Sequence, residues 1–207
     1  MKIFFDTEFT GLVPNTTLIS LGCVAETGEK FYAGFIDYNK NLVNDWIQEN
    51  VINNLYLGSC KDPIISIWTI KDDDLWTITG KSLAIRNKLV KWLKYLMNKY
   101  GSQRIQFVAD VCHYDFTLLC NLFGGAFSLP EYVNPVCYDI CQDLTMIDQD
   151  TLRDIWDVEA DEDKMYWAFD ISREELCKKL TGKLPEGEKH NVLYNAMVTK
   201  AIYEGMR

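Results

Sequence analysis

Asp6 and Glu8 stand one residue apart at the end of a short apolar run, Met1-Lys2-Ile3-Phe4-Phe5. The run has strand character, and alternation along a strand sends both carboxylates to one face. Two carboxylates side by side repel each other and are costly to take out of water unless a cation lies between them. Oxygen donors of this type suit a hard divalent ion, Mg²⁺ or Mn²⁺. Alone, the pair would also fit a solvated acidic turn. Its weight comes from the groups further along the chain.

Asp115 follows in Cys112-His113-Tyr114-Asp115-Phe116, at an expected junction between a strand and a helix. The carboxyl edge of an α/β sheet is where ligands collect. In isolation Asp115 reads equally well as a helix cap. Asp110 competes with it for a metal-binding role, and His113 is a weaker candidate. Near the C-terminus, His190 precedes a helix and follows a loop bearing Gly and Glu (182–188). A histidine titrates near neutrality and suits general-base work, although a lone surface histidine is the commoner occurrence. Asn195 lies five residues on, about one and a half helical turns away.

These groups need a scaffold, and the pattern supplies one. Residues 3–6, 18–26 and 30–37 read as three strands joined by short turns, an antiparallel meander. Residues 42–57 read as partly helical, and 64–78 carry no decisive period. Residues 83–100 place Leu89, Val90, Leu93, Leu96, Met97 and Tyr100 on one helical face, with Lys88, Lys91, Lys94 and Lys99 mostly outward. A fourth strand is expected at 105–109, a helix at 114–123 before Gly124-Gly125, and a fifth strand at 133–140. Ser172 and Glu175 have capping-box spacing ahead of a helical segment at 176–180. The last helix should begin near Asn191 and run towards Gly205. The order predicts a mixed-sheet α/β architecture, with residues 1–207 forming one domain.

The 207 residues carry a net charge of −9, which excludes a basic nucleic-acid coat. Residues 143–163 alone hold nine acids and one base, so a solvated acidic loop accounts for most of that charge. The remainder is nearly neutral, and a polyanionic substrate stays compatible with it. Seven scattered cysteines without a CxxC pair read as reduced core residues of a cytoplasmic protein. No apolar run is long enough to cross a membrane, and neither a signal peptide nor membrane association is expected.

Taken together, Asp6 and Glu8, Asp115, and His190 resemble the DEDDh group of 3′–5′ exonucleases, which has an RNase H-like fold. Asp6-Thr7-Glu8-Phe9-Thr10-Gly11 looks like the group's first motif, Tyr114-Asp115 like the end of its second, and His190 with position 195 like its third. The order is that of the group, and the resemblance spans nearly the whole chain. The run from Tyr114 to Gly124 is most similar to the small stand-alone bacterial and phage exoribonucleases of the RNase T-like kind.

The resemblance implies two Mg²⁺ or Mn²⁺ ions held by Asp6, Glu8, Asp115 and the residue at 195, with His190 as general base. It implies hydrolysis of single-stranded nucleic acid from its 3′ end, RNA before DNA, to nucleoside 5′-monophosphates. Thr7, Phe9 and Thr10 would seat the terminal nucleotide, Phe9 by stacking on a base or else by packing in the core. Lys183 and Lys189 would meet phosphates or simply face solvent. Homodimers are common among such enzymes.

Two positions depart from the group. Asn195 stands where an aspartate is usual, which removes a charge from the metal set. It is an engineered exchange, a natural active variant or the mark of a retired enzyme, and its near-isosteric character favours the first. Val111 stands where an asparagine is frequent, which puts a substrate contact in doubt. Two other readings remain open: a retired nuclease fold that binds nucleic acid or protein, and an enzyme acting on a small phosphodiester.

Overall fold

The computed structural model describes residues 1–55, 67–72, 74–146 and 167–207. Among these, seven strands form one sheet in the order β4-β5-β3-β2-β1-β6-β7. They are β1 (Lys2–Phe9), β2 (Leu18–Ala25), β3 (Lys30–Phe35), β4 (Ile67–Asp72), β5 (Leu75–Gly80), β6 (Gln106–Ala109) and β7 (Tyr138–Asp139). The helices are α1 (Asp45–Asn50), α2 (Ser82–Tyr100), α3 (His113–Leu122), α4 (Ile140–Thr145), α5 (Arg173–Thr181) and α6 (Val192–Gly205).

The expected meander is present: β1 pairs antiparallel with β2, and β2 with β3. β6 then joins β1 in parallel, which makes the sheet mixed. The strand nearest the chain start therefore lies deep in the sheet. Ile3 and Phe5 pack into the core shared with Leu89, Trp92 and Leu93 of α2. Phe4 faces the other way, into a cluster with Ile202 and Tyr203 of α6. Asp6 and Glu8 continue the Phe4 face, and Thr7 continues the face of Ile3 and Phe5. The register of β1 against β2 slips between Glu8 and Phe9, a bulge of the kind that re-aims side chains beside a site.

α6 reaches this face because β2 offers it no side chain at Gly22. A Cβ there would stand 2.5 Å from the Val192 carbonyl, closer than atoms can pack. The start of α6 thus rests directly on the sheet, fixing the height of His190 and Asn195. The Asn191 side chain caps the helix by accepting from Leu193 N–H. At α5 the Ser172 half of the expected capping box is present, with Ser172 Oγ accepting from Glu175 N–H.

Three expectations change. The segment without a decisive period contains β4 and β5, a hairpin whose second strand runs parallel to β3. Their pairing comes from the sheet edge, which local sequence does not reveal. The fifth strand shrinks to Tyr138–Asp139, with a single bridge from Val133 to Ile105. Between the bridge and β7 the pairing shifts by two residues, from Ile105 opposite Val133 to Val108 opposite Tyr138. In α2, Ile85 and Trp92 join the buried face, while Tyr100 is exposed. Most of the acidic stretch, from 147 to 163, lies outside the described residues. No described helix is long and apolar enough to cross a membrane.

Candidate active site

Asp6 and Glu8 leave the end of β1 and meet Asp115 from the first turn of α3. Burial raises the Asp6 carboxyl well above its usual value, and the charges of Asp115 and Glu8 raise it further. Glu8 is pushed to about 8 by burial and by Asp115. Burial lifts Asp115 to about 6, against the bonds it accepts from Thr7. Three acids in one field, each disfavoured as an anion, need either protons or a cation.

The donor chemistry fits a hard divalent ion. Among the described residues, no three His, Cys, Asp or Glu side chains close into a ready-made cage. The fit therefore rests on the shared field of the carboxylates. It has a consequence for stability. Glu8 is ordinarily at 4.5 and stands at about 8 in the fold, so between these values the folded chain holds a proton that the unfolded chain releases. The metal-free protein should lose stability as pH rises across that window. Glu8→Gln or added Mn²⁺ should flatten the slope, as read from melting temperatures at pH 5 and pH 8.

Asp115 is held from β1. It accepts from the Thr7 N–H at 2.9 Å and from Thr7 Oγ1 at 2.6 Å. Thr7 itself is only 5% exposed, which places its side chain behind the site, supporting Asp115. The helix cap is Cys112, so Asp115 does not serve as the capping residue. Asp110 is engaged elsewhere: Arg173 grips it through two nitrogens, at 2.5 and 2.9 Å, and also donates to the carbonyls of Ala168 and Ile171. His113 is exposed at the start of α3.

His190 sits with Nδ1 3.8 Å from Glu8 Oε1. Burial and the neighbouring Lys189 lower its pKa below the ordinary 6.5, opposed by Glu174. The imidazole is therefore neutral at pH 7, the form able to accept a proton. The Trp46 ring stands perpendicular to it with centroids 5.3 Å apart. Asn195 donates from Nδ2 to Asp6 Oδ2 at 3.1 Å. A cavity of about 470 Å³ opens beside Asp6 and Asn195, lined also by Asp110, Arg173 and Lys189.

Phe9 stacks on Tyr114 at 5.4 Å, so it has a protein partner of its own. Thr10 is buried, and its hydroxyl lies within hydrogen-bond distance of Thr16 and Thr17. Lys183 lies on a different cavity, with Leu184 and Pro185.

Sequence reasoning missed Trp46, Arg173 and Asp139. Trp46 lay in the segment 42–57, read only as partly helical, and Arg173 reads as an ordinary first-turn residue. Asp139 had no local signal, because only the pairing of β6 with β7 brings it opposite the strand–helix junction. Among the described residues, two non-glycines have positive φ, Val111 at 52° and His190 at 63°. Both border this site. Such backbone costs on the order of 1–3 kcal/mol and persists only where surrounding contacts enforce it.

The site thus joins carboxylates at the end of an interior strand of a mixed sheet to a histidine ahead of the last described helix. No protein-family profile matches the chain. It is 29% identical over 133 residues to the 3′–5′ exoribonucleases of two Mycobacterium tuberculosis strains, CDC 1551 / Oshkosh and ATCC 25618 / H37Rv. The match covers 64% of this chain and 67% of each relative. Among solved structures, the chain superposes on the Neurospora crassa Pan2 catalytic unit (protease and nuclease domain) with a TM-score of 0.50 and 13% identity. That superposition covers 99% of this chain and 26% of the larger one, and at this identity it speaks for the fold alone. These likenesses bear out the resemblance to DEDD-type 3′–5′ exonucleases and the RNase H-like fold.

Proposed function

We propose that this protein is a metal-dependent 3′–5′ exonuclease that trims single-stranded RNA, with DNA as the second polymer, to nucleoside 5′-monophosphates. The observation that carries the reading is the convergence of Asp6, Glu8 and Asp115 with His190, whose Nδ1 lies 3.8 Å from Glu8. The exoribonuclease relatives support RNA as the first choice.

Asp6, Glu8 and Asp115 would hold two Mg²⁺ or Mn²⁺ ions, with Asn195 completing the set. Ions bound there would supply acidification of a water and stabilisation of charge on the departing 3′-oxygen. His190 accepts the proton of the attacking water. Thr7 keeps Asp115 aimed at the site through its two hydrogen bonds. Asn195 presents its N–H to Asp6, so its amide must turn before its oxygen can serve an ion. Trp46, 53% exposed beside His190, offers a face for a nucleobase, and Lys189 offers charge to a phosphate at the cavity wall. The chemistry relies on position and charge, with no covalent intermediate on the protein.

The test is degradation of 5′-labelled single-stranded RNA and DNA with Mn²⁺, with and without EDTA. The expected result is a ladder shortening from the 3′ end that EDTA abolishes. Robust cleavage in EDTA would refute the metal-dependent reading. Asn195 favours one second reading, a retired nuclease fold that binds ends without cutting them. Binding without turnover, even with aspartate at 195, would select it. Cleavage confined to dinucleotides would instead point to a small phosphodiester.

A further inference from the structure

We propose that Asp139 is a positioning residue for the candidate metal site, setting Asp115 by clamping the strained turn that leads to it. The inference rests on the metal-dependent reading above. Asp139 ends β7 and is 8% exposed. Its Oδ1 accepts from the Val111 N–H at 2.9 Å and its Oδ2 from the Cys112 N–H at 3.0 Å. Oδ1 also accepts from the Cys141 N–H at 2.9 Å, at the start of α4. One buried carboxylate therefore satisfies three backbone donors from two elements.

The turn it grips is unfavourable by itself. Val111 has φ of 52°, a left-handed backbone that a β-branched side chain resists and glycine or asparagine tolerates. Its carbonyl accepts from the His113 N–H at 2.9 Å, closing a tight turn directly before α3. Cys112 is the helix cap, and Asp115 stands in the first turn after it. The direction in which α3 leaves β6, and with it the Asp115 carboxylate, follows from the conformation of Val111. Parallel pairing of β6 with β7 brings Ala109 opposite Asp139, so the clamp stands at the height of the turn. Without the two bonds from Asp139, Val111 would relax towards negative φ and carry the start of α3 away from β1.

A helix cap for α4 would need only the Cys141 bond, and the two roles separate experimentally. Mn²⁺ affinity is measured by electron paramagnetic resonance, and cleavage of single-stranded RNA is measured beside it. Asp139→Ala should weaken Mn²⁺ binding roughly tenfold or more and lower kcat, with the protein still folded by near-ultraviolet circular dichroism. Adding Val111→Gly to Asp139→Ala should restore most of the Mn²⁺ affinity, because glycine adopts the left-handed turn unaided. Loss of the α4 cap alone could not be repaired at position 111. Should Asp139→Ala fail to fold, Asp139→Asn keeps one acceptor and should show an intermediate loss.

Wild-type Mn²⁺ affinity in folded Asp139→Ala or Asp139→Asn would overturn the proposal. So would an unrepaired loss in the double variant. If the unmodified chain neither binds Mn²⁺ nor cleaves RNA, the metal-dependent reading falls first and takes this inference with it.

Discussion

Asn195→Asp should lower the Mn²⁺ concentration needed for half-maximal cleavage by roughly tenfold or more. It should also lower the melting temperature of the metal-free protein. Both effects come from one contact. Asn195 donates to Asp6 Oδ2 at 3.1 Å, and this bond draws the Asp6 carboxyl back towards its ionised form. An aspartate would withdraw that donor and add a fourth acid to three that already repel one another. Leaving a buried acceptor unpaired costs on the order of 1–3 kcal/mol. A divalent ion reverses the balance, because the added charge then attracts.

A tenfold gain in affinity corresponds to about 1.4 kcal/mol. Calorimetric melting with and without Mn²⁺, beside a metal titration of the cleavage rate, reads both sides of the exchange. If neither the metal requirement nor the metal-free melting temperature moves, Asn195 has no part in an ion site. If cleavage appears only with aspartate, the unmodified chain is a disabled exonuclease.

The second large effect is expected at His190. His190→Ala should reduce kcat by about 10²–10⁴-fold while leaving Mn²⁺ binding close to that of the unmodified protein. The imidazole is held where it can take a proton: 3.8 Å from Glu8, edge to face with Trp46, and kept neutral by burial and Lys189. The sign of the pH dependence follows. A base must be unprotonated, so the rate should fall as pH drops through the His190 pKa, which lies below 6.5. That acidic limb should vanish from the residual activity of His190→Ala. A pH–rate profile with the same limb in both proteins would assign the proton to another group. A loss of Mn²⁺ binding equal to the loss of rate would make His190 a support of the metal site.

Much of this site is legible from local chemistry. The Asp6–Glu8 pair is visible because strand alternation is a backbone property that any sequence obeys. Asp115 and His190 sit at junctions marked by turn and capping residues, and those junctions form where expected. The meander and the last two helices follow from periodicity and capping, which are also local. The β4–β5 hairpin is not legible, because its place beside β3 depends on a sheet edge supplied by residues distant in the chain.

The same division holds for the roles within the site. Residue type and position nominate Asp115, with Asp110 as its competitor. The fold gives them different partners, Arg173 to Asp110 and Thr7 to Asp115. Sequence shows Val111 and Asp139 as unconnected residues, and only the alignment of β6 with β7 makes one the clamp of the other. What the sequence determined by itself is which groups are able to do chemistry and on which elements they ride, since both depend on neighbours within a few residues. The tertiary structure decided which of those groups share a field and which are neutralised by a partner. Coulombic and hydrogen-bond energies depend on distance in space, and separation along the chain does not report it.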